Sequence, residues 1–473
     1  MKRIKLILFP LIFIFLSLPS DPNIKDTSNI PSKKFDIHSI RHHEFSNGMK
    51  LHLLKVDNSE KIEIFGIIRA GSVFDPTDKI GLATIAGEML RMGGTKYINA
   101  KVIDEELDSL GTKLFIKISL INGQIRMSCN KDNFKRSLKI LSEILINPSF
   151  ETDRLSLAKK NLLDFMEREK KDLDSLAFTK FQKLLYGENS PYARTPTKET
   201  TNNIKQEDLF KFYNQFIHPN NISLAIWGKF DKDEIITSFE EVFGKWPKSI
   251  NKNPPFPEVK VKREASVNLI VKENVNQSKI RIGHLGIMLD KDNPYNKDYI
   301  ALLILDLLFG GQSFSSRLYQ KIRSELGLSY DIFSMYWPSF CYPGAFVISA
   351  STRSNTTVET IQCILNELNK ICEEPITDKE VNQVKEFLIN SYVFQFDSPE
   401  KILARILYYE YQGLPLDYFQ YIINEIPNIN AQDVKGAALK YLHPELLCIL
   451  VVGNEKKFDK PLSYIGKVDI LSQ

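Results

Sequence analysis

The chain has seven histidines, His38, His42, His43, His52, His218, His284 and His443, and their spacing decides what metal chemistry is open to it. A hydrolytic zinc needs two neutral imidazoles one helical turn apart, a third ligand and an open position for water. No histidine lies between His52 and His218, and no two stand four apart within a helical pattern. His38 and His42 have the spacing, but with His43 they lead into HEFSNGMKLHLL, a strand pattern whose Asn47-Gly48 pair marks a turn. That trio is either a small metal cluster or, on the better reading, a solvated segment ahead of a strand. No nucleophile elbow, Cys-x-x-Cys or pair of catalytic carboxylates emerges. Gly310-Gly311 is followed by no P-loop Lys-Ser/Thr and reads as a helix C-cap with a tight turn.

Two segments carry motif-like spacing. Residues 79–97, KIGLATIAGEMLRMGGTKY, form an amphipathic helix pattern that runs into a Gly-Gly stop and a basic-aromatic turn. Residues 309–330, FGGQSFSSRLYQKIRSELGLSY, join a glycine turn, a helix and a strand start. Arg323 is open to reading as a helix charge paired to Glu325 or Asp306, and Tyr330 as a strand residue with its ring in the core.

The elements that must position these segments are laid out twice. The stretch KQEDLFKFYNQFIHPNNISLAIWGKF around His218 recurs as NAQDVKGAALKYLHPELLCILVVGNE around His443, a period of about 225 residues. In both copies a capped helix ends in Ile/Leu-His-Pro and an apolar strand follows, so the two histidines read as repeated structural punctuation. Residues 247–265, rich in Pro, Asn and Lys, read as an exposed linker. The boundaries expected are 1–20 for a signal peptide, 36–247 and 263–458 for two halves, and 248–262 for the linker. Each half opens on strands (KLHLLKV and IEIFGIIRAGS; VNLIVKE and SKIRIGHLGI). A helix, a hairpin region and long amphipathic helices follow. Strands first and helices later predict an α+β fold, each half a mainly antiparallel sheet with helices packed on one face.

Composition is that of a globular protein, with a formal charge of +4 over 473 residues and lysines spread along the chain, so no nucleic-acid partner is expected. MKRIK followed by LILFPLIFIFLSLP has the form of a signal peptide with a cut after Ser20; the alternative is an uncleaved membrane anchor. The expected location is outside the cytoplasm, in a bacterial periplasm. Five scattered cysteines show no disulfide framework and read as small buried residues, with one bridge, such as Cys363–Cys372, left open.

The segment 79–97 resembles the zinc-helix region of the pitrilysin/insulinase family of metallopeptidases, in which GLA precedes H-x-x-E-H and a G-T-K-x-Y stretch follows. Here those five positions hold Thr84, Ile85, Ala86, Gly87 and Glu88. The resemblance spans nearly the whole mature chain and implies a degenerate metal site, with no cofactor in this chain. In the family the third zinc ligand is a glutamate on a later helix; Asp164 and Glu167 lie in that region here without clear register. Arg323 and Tyr330 match the family's arginine–tyrosine pair, whose guanidinium and phenol donate hydrogen bonds to a peptide carbonyl and its developing oxyanion. The same resemblance makes Gly310, Gly311, Ser313 and Phe314 candidate substrate contacts. Its implication is a non-catalytic subunit that binds unfolded peptide and completes the site of a zinc-bearing homologous partner, in a heterodimer or heterotetramer. The alternative is a structural protein of the respiratory core-subunit type, with no part in proteolysis.

Overall fold

Burial alternates along KLFIKI, the first strand of the hairpin region in the first half: Lys113, Phe115 and Lys117 are exposed while Leu114, Ile116 and Ile118 are buried. The computed structural model describes residues 39–261, 264–311, 314–393 and 396–472. The segment 1–20 and His38 lie outside these residues, as does Ser313. Among the described residues no helix is long and apolar enough to cross a membrane, and all five cysteines are free. Cys363 and Cys372 share the helix Thr357–Glu373, about two and a half turns apart, a separation that no bridge can span.

The described chain forms two compact units. The first is built on β1 (Arg41–Glu44), β2 (Lys50–Lys55), β3 (Lys61–Ile68), β4 (Lys113–Ile118), β5 (Gly123–Asn130) and β6 (Ile222–Gly228), in the order β1-β2-β6-β3-β5-β4. Only β2 and β6 run parallel; the other pairs are antiparallel. The Asn47-Gly48 turn closes the β1–β2 hairpin, with Gly48 at φ 83°, a left-handed value that suits glycine. One face of this sheet buries Leu53, Ile64, Met127 and Ile226 against the helices Leu82–Met92, Phe134–Ile146, Gln206–Phe216 and Lys232–Phe243.

The second unit repeats the plan with β7 (Ser266–Val271), β8 (Gln277–Leu285), β9 (Ser329–Trp337), β10 (Ala345–Arg353), β11 (Cys448–Gly453) and β12 (Val468–Ile470), ordered β12-β7-β11-β8-β10-β9. Strands β7 to β11 occupy the places of β2 to β6, and β7 pairs parallel to β11 as β2 does to β6. The outer strand breaks the repeat. β1 precedes β2 and pairs antiparallel with it, whereas β12 comes from the chain end and pairs parallel with β7. His218 and His443 each stand just before a short Pro-initiated turn and then β6 or β11, in matching positions. His218 is buried with Nδ1 2.9 Å from Asn220 Oδ1, and the His443 backbone N–H donates to His284 Nε2.

Compactness does not follow the contiguous halves. Residues 167–194 belong to the second unit and 393–416 to the first. The helix Pro399–Gln412 lies on the face of the first sheet opposite its main core, where the Tyr408 ring stands 6.2 Å from Phe65 and its hydroxyl accepts from Gln124. In the second unit the helix Leu173–Tyr186 covers β8 and β11, with Asp174 2.5 Å from the buried Arg281 and Tyr186 donating to Pro343 O. Among the described residues each sheet therefore carries helices on one face and a borrowed helix on the other. The sequence pattern of contiguous halves did not contain this feature.

The borrowed helices bring acids to basic sheet faces. Glu400 pairs with Arg126, and Glu410 takes Lys50 at 2.7 Å and His52 Nε2 at 2.9 Å. Burial opposes the charge of Glu410, but the hydrogen bonds from His52 and Lys50 prevail and hold its carboxyl down to about 2, from an ordinary 4.5. A carboxyl depressed by folding contributes stability that is present above its unfolded pKa and lost as pH falls through the folded one. Glu410→Gln is thus expected to lower urea resistance near neutral pH, and the gap to wild type should close as pH falls from 4.5 toward 2. A gap that stays constant across that window would show that the ion pair does not hold the helix.

Candidate functional site

In the first unit, the helix Leu82–Met92 starts on Gly81 and is capped from a distance. Asp75 accepts from Gly81 N at 2.8 Å and Ala83 N at 2.9 Å, placing a carboxylate at the positive end of the helix. Ile85, Ala86 and Met89 face the core, while Thr84 and Glu88 are half-buried one turn apart on the same face. Across from them is the helix Thr152–Lys171, from which Asn161 Nδ2 donates to Glu88 Oε1 at 2.9 Å. Asp164 is exposed and Glu167 pairs with Lys170 at 2.8 Å, so the residue facing the motif is neither carboxylate. Asn161 was not legible in advance; its only signal is its place one residue before buried Leu162 on a helix of Leu155–Ala158–Leu162 periodicity.

Gly87 explains why a catalytic carboxylate has no room here. A Cβ at this position would stand 2.6 Å from the backbone nitrogen of Ile118 and 3.1 Å from its Cγ1. Helix and edge strand β4 meet backbone to backbone at this point, so a glutamate could enter only by prising them apart. The donor set of a hydroxyl, an amide and one carboxylate already bound to that amide does not fit a catalytic zinc, which takes three imidazole, thiolate or carboxylate ligands and keeps its fourth position open for water. No group of three or more His, Cys, Asp or Glu among the described residues is arranged to hold a metal ion.

The N-terminal histidines diverge as well. His42 and His43 lie within β1 rather than ahead of it. His42 Nδ1 is 2.6 Å from His52 Nδ1, whereas the His43 ring packs edge-on against Phe45. Burial, together with the neighbouring His52, lowers the His42 pKa. His52 thus links His42 to Glu410 in a hydrogen-bonded chain, an arrangement without a common point for a metal.

In the second unit, Gly310 and Gly311 close the helix Lys297–Phe309, both N–H groups donating to Asp306 O. Both glycines are buried, and a Cβ on Gly310 would come within 2.8 Å of the Ser334 nitrogen in β9. Close packing therefore accounts for a glycine at each of these positions. Beneath them Asp306 is fully buried, and burial raises its carboxyl to about 6 despite the hydrogen bond that Ser334 donates at 2.6 Å. Phe314 is 62% exposed.

Arg323 and Tyr330 come together. Arg323 lies in a π-helix, Tyr319–Glu325, a rare geometry that recurs at functional sites. Its Cζ is 5.2 Å from the Tyr330 ring centroid and 4.7 Å from that of Tyr319. Neither alternative reading holds: Glu325 pairs with Lys321, Asp306 with Ser334, and the Tyr330 ring is 85% exposed. Among the described residues no protein group accepts from the guanidinium or from the Tyr330 hydroxyl. The pair thus presents unengaged N–H and O–H donors beside exposed aromatic surface, suited to a carbonyl or an oxyanion.

Residues 55–190 match the profile of Insulinase (Peptidase family M16), and residues 203–388 that of Peptidase M16 inactive domain. A Helicobacter pylori protein described as non-peptidase homolog YmxG is 23% identical over 392 residues, covering 82% of this chain and 88% of its own. The mitochondrial-processing peptidase subunit beta of Dictyostelium discoideum is 22% identical over 82% of this chain and 84% of its own. Among solved structures, a peptidase M16 inactive domain from Pseudomonas fluorescens aligns at a TM-score of 0.78 with 21% identity, over 89% of this chain and 99% of that one. The periplasmic protease PqqL from Escherichia coli aligns at 0.74 with 13% identity, over 91% of this chain and 47% of that one.

Two outcomes follow from the packing at Gly87. Gly87→Ala should destabilise the chain by about 1–3 kcal/mol, as overpacked core sites do, read by denaturant unfolding. The triple replacement Thr84→His, Gly87→Glu, Glu88→His should bind no stoichiometric zinc by metal analysis. One tightly held zinc in that variant would show that the helix–strand gap opens readily.

Proposed function

The chain belongs to the insulinase family, peptidase family M16, and from that premise we propose that it is a non-catalytic subunit of a zinc-dependent peptidase. The observation that carries the proposal is the contrast between its two motif regions. The helix where the family keeps its metal site holds Thr84, Gly87 and Glu88 against a strand that leaves no room for a base. The Arg323–Tyr330 pair, by contrast, keeps both its spacing and its unengaged donors.

In this proposal a homologous, zinc-bearing subunit supplies the metal and the general base, and this chain supplies Arg323 and Tyr330 to the substrate peptide. Arg323 takes the carbonyl of the bound peptide, and Tyr330 donates to the oxygen that gains charge as the tetrahedral centre forms. The outer edge of β4 supports a peptide role. It pairs with no strand among the described residues, so an extended unfolded segment has backbone groups to add to. The description of the Helicobacter pylori relative as a non-peptidase homolog supports the loss of independent hydrolysis. The description of another relative as a subunit of a processing peptidase supports a partner. Export to a periplasm, from the leader-like first 20 residues, belongs to the same proposal.

The test is a complex reconstituted with a zinc-bearing homologous subunit. The isolated chain should hydrolyse no unstructured peptide. In the complex, Tyr330→Phe should leave association intact and cut kcat about a hundred- to thousandfold, the effect of losing one oxyanion donor. Arg323→Ala should also raise KM, because the guanidinium holds the ground-state peptide as well. Kinetics unchanged in both variants would make this chain a structural subunit instead.

A further inference from the structure

We propose that Tyr319 is the positioning residue of the site: its ring holds the Arg323 guanidinium in place while leaving every guanidinium N–H free for substrate. The proposal rests on the reading of Arg323 as a substrate-binding group, and it adds a residue that the motif resemblance does not include.

Arg323 is held unlike its neighbours. Arg317 is tied to Glu380 at 2.8 Å, and Lys321 to Glu325. Arg323 has no carboxylate and no carbonyl among the described residues; its contacts are two aromatic rings. A long side chain without an anchor samples many rotamers, and ordering it on binding costs affinity. A carboxylate anchor would solve that problem and create another, since it occupies the N–H edges that a peptide carbonyl needs. A ring attracts the cation through its π face instead and accepts none of those edges.

Of the two rings, Tyr330 is 85% exposed and has little to hold it. Tyr319 is half-buried, and the Phe314 ring meets it nearly perpendicular, at 83° with centroids 5.1 Å apart. The backbone explains how Tyr319 reaches Arg323. Residues four apart on a helix share a face, so position 323 lies about one turn beyond 319, here within the π-helix marked by the Leu326 N–H bond to Lys321 O. That spacing sets the cation on the aromatic residue one turn before it.

Three variants test this in the reconstituted complex, with Arg323→Ala as reference. Tyr319→Leu should raise KM about three- to thirtyfold, the range for losing a partly desolvated cation–π contact. Tyr319→Phe, which keeps the ring and drops the hydroxyl, should stay within about twofold of wild type. A second readout needs no partner: the Arg323 Nε–Hε signal of the isolated chain, assigned by its loss in Arg323→Lys. That signal should show an ordered side chain in wild type and Tyr319→Phe, and a mobile one in Tyr319→Leu. Tyr319→Leu with unchanged KM and an ordered Arg323 would overturn the proposal, as would Tyr319→Phe behaving like Tyr319→Leu. If Arg323→Ala itself leaves KM unchanged, the substrate role of Arg323 fails, and the Nε–Hε order still decides whether Tyr319 positions it.

Discussion

A six-stranded sheet has two faces to remove from water, and the segment of chain that builds each sheet here supplies helices for only one of them. The other face is closed by a helix drawn from the other half of the sequence: Pro399–Gln412 on the first sheet and Leu173–Tyr186 on the second. Everything else depends on this closure. Phe65, Gln124 and Arg126 would face water without the first helix, and Arg281 would be a buried unpaired charge without Asp174 of the second. The charges are opposite in sign, basic groups on the sheets and acids on the helices, and pairing of this kind favours one docking register over its alternatives.

Close approach is the second constraint, and glycine permits it in both units. Gly87 lets the degenerate helix press onto β4, and Gly310 lets the loop after Lys297–Phe309 press onto β9. The consequences differ. At Gly87 the closeness occupies the space that a catalytic side chain would need, so the lost chemistry is built into the packing and not merely into three side chains. At Gly310 it seats the start of the segment that leads through the π-helix to Arg323 and Tyr330. The double glycine is therefore a close-packing position, and the exposed aromatic residues of the region are Phe314 and Tyr330.

The two motif regions thus have opposite electrostatic character. Around Glu88 the polar groups satisfy one another, the carboxylate receiving the Asn161 amide. Around Arg323 they do not, and the cation is stabilised by ring faces while its donors remain unspent. Arg323 is half-buried and Tyr330 exposed, so these donors stay open to solvent, whereas the Glu88 carboxylate is engaged by a neighbouring helix.

Much of this was legible in the chain alone, because it is written in local periodicity. The internal repeat, the strand alternation in KLFIKI, the capped helices before His218 and His443, and the missing imidazoles at 84 and 88 all depend on residues close in sequence. The spacing of Arg323 and Tyr330 was likewise readable, since one turn of helix and a short loop join them. What the tertiary structure alone decided is which distant groups meet: Glu410 with His52, Asp174 with Arg281, Asn161 with Glu88. These pairings join elements far apart in sequence, and no local pattern encodes which amphipathic helix will cover which sheet. The π-helix was hidden for a different reason. Its side chains are those of an ordinary helix, and nothing in their pattern marks the wider turn that the backbone takes there.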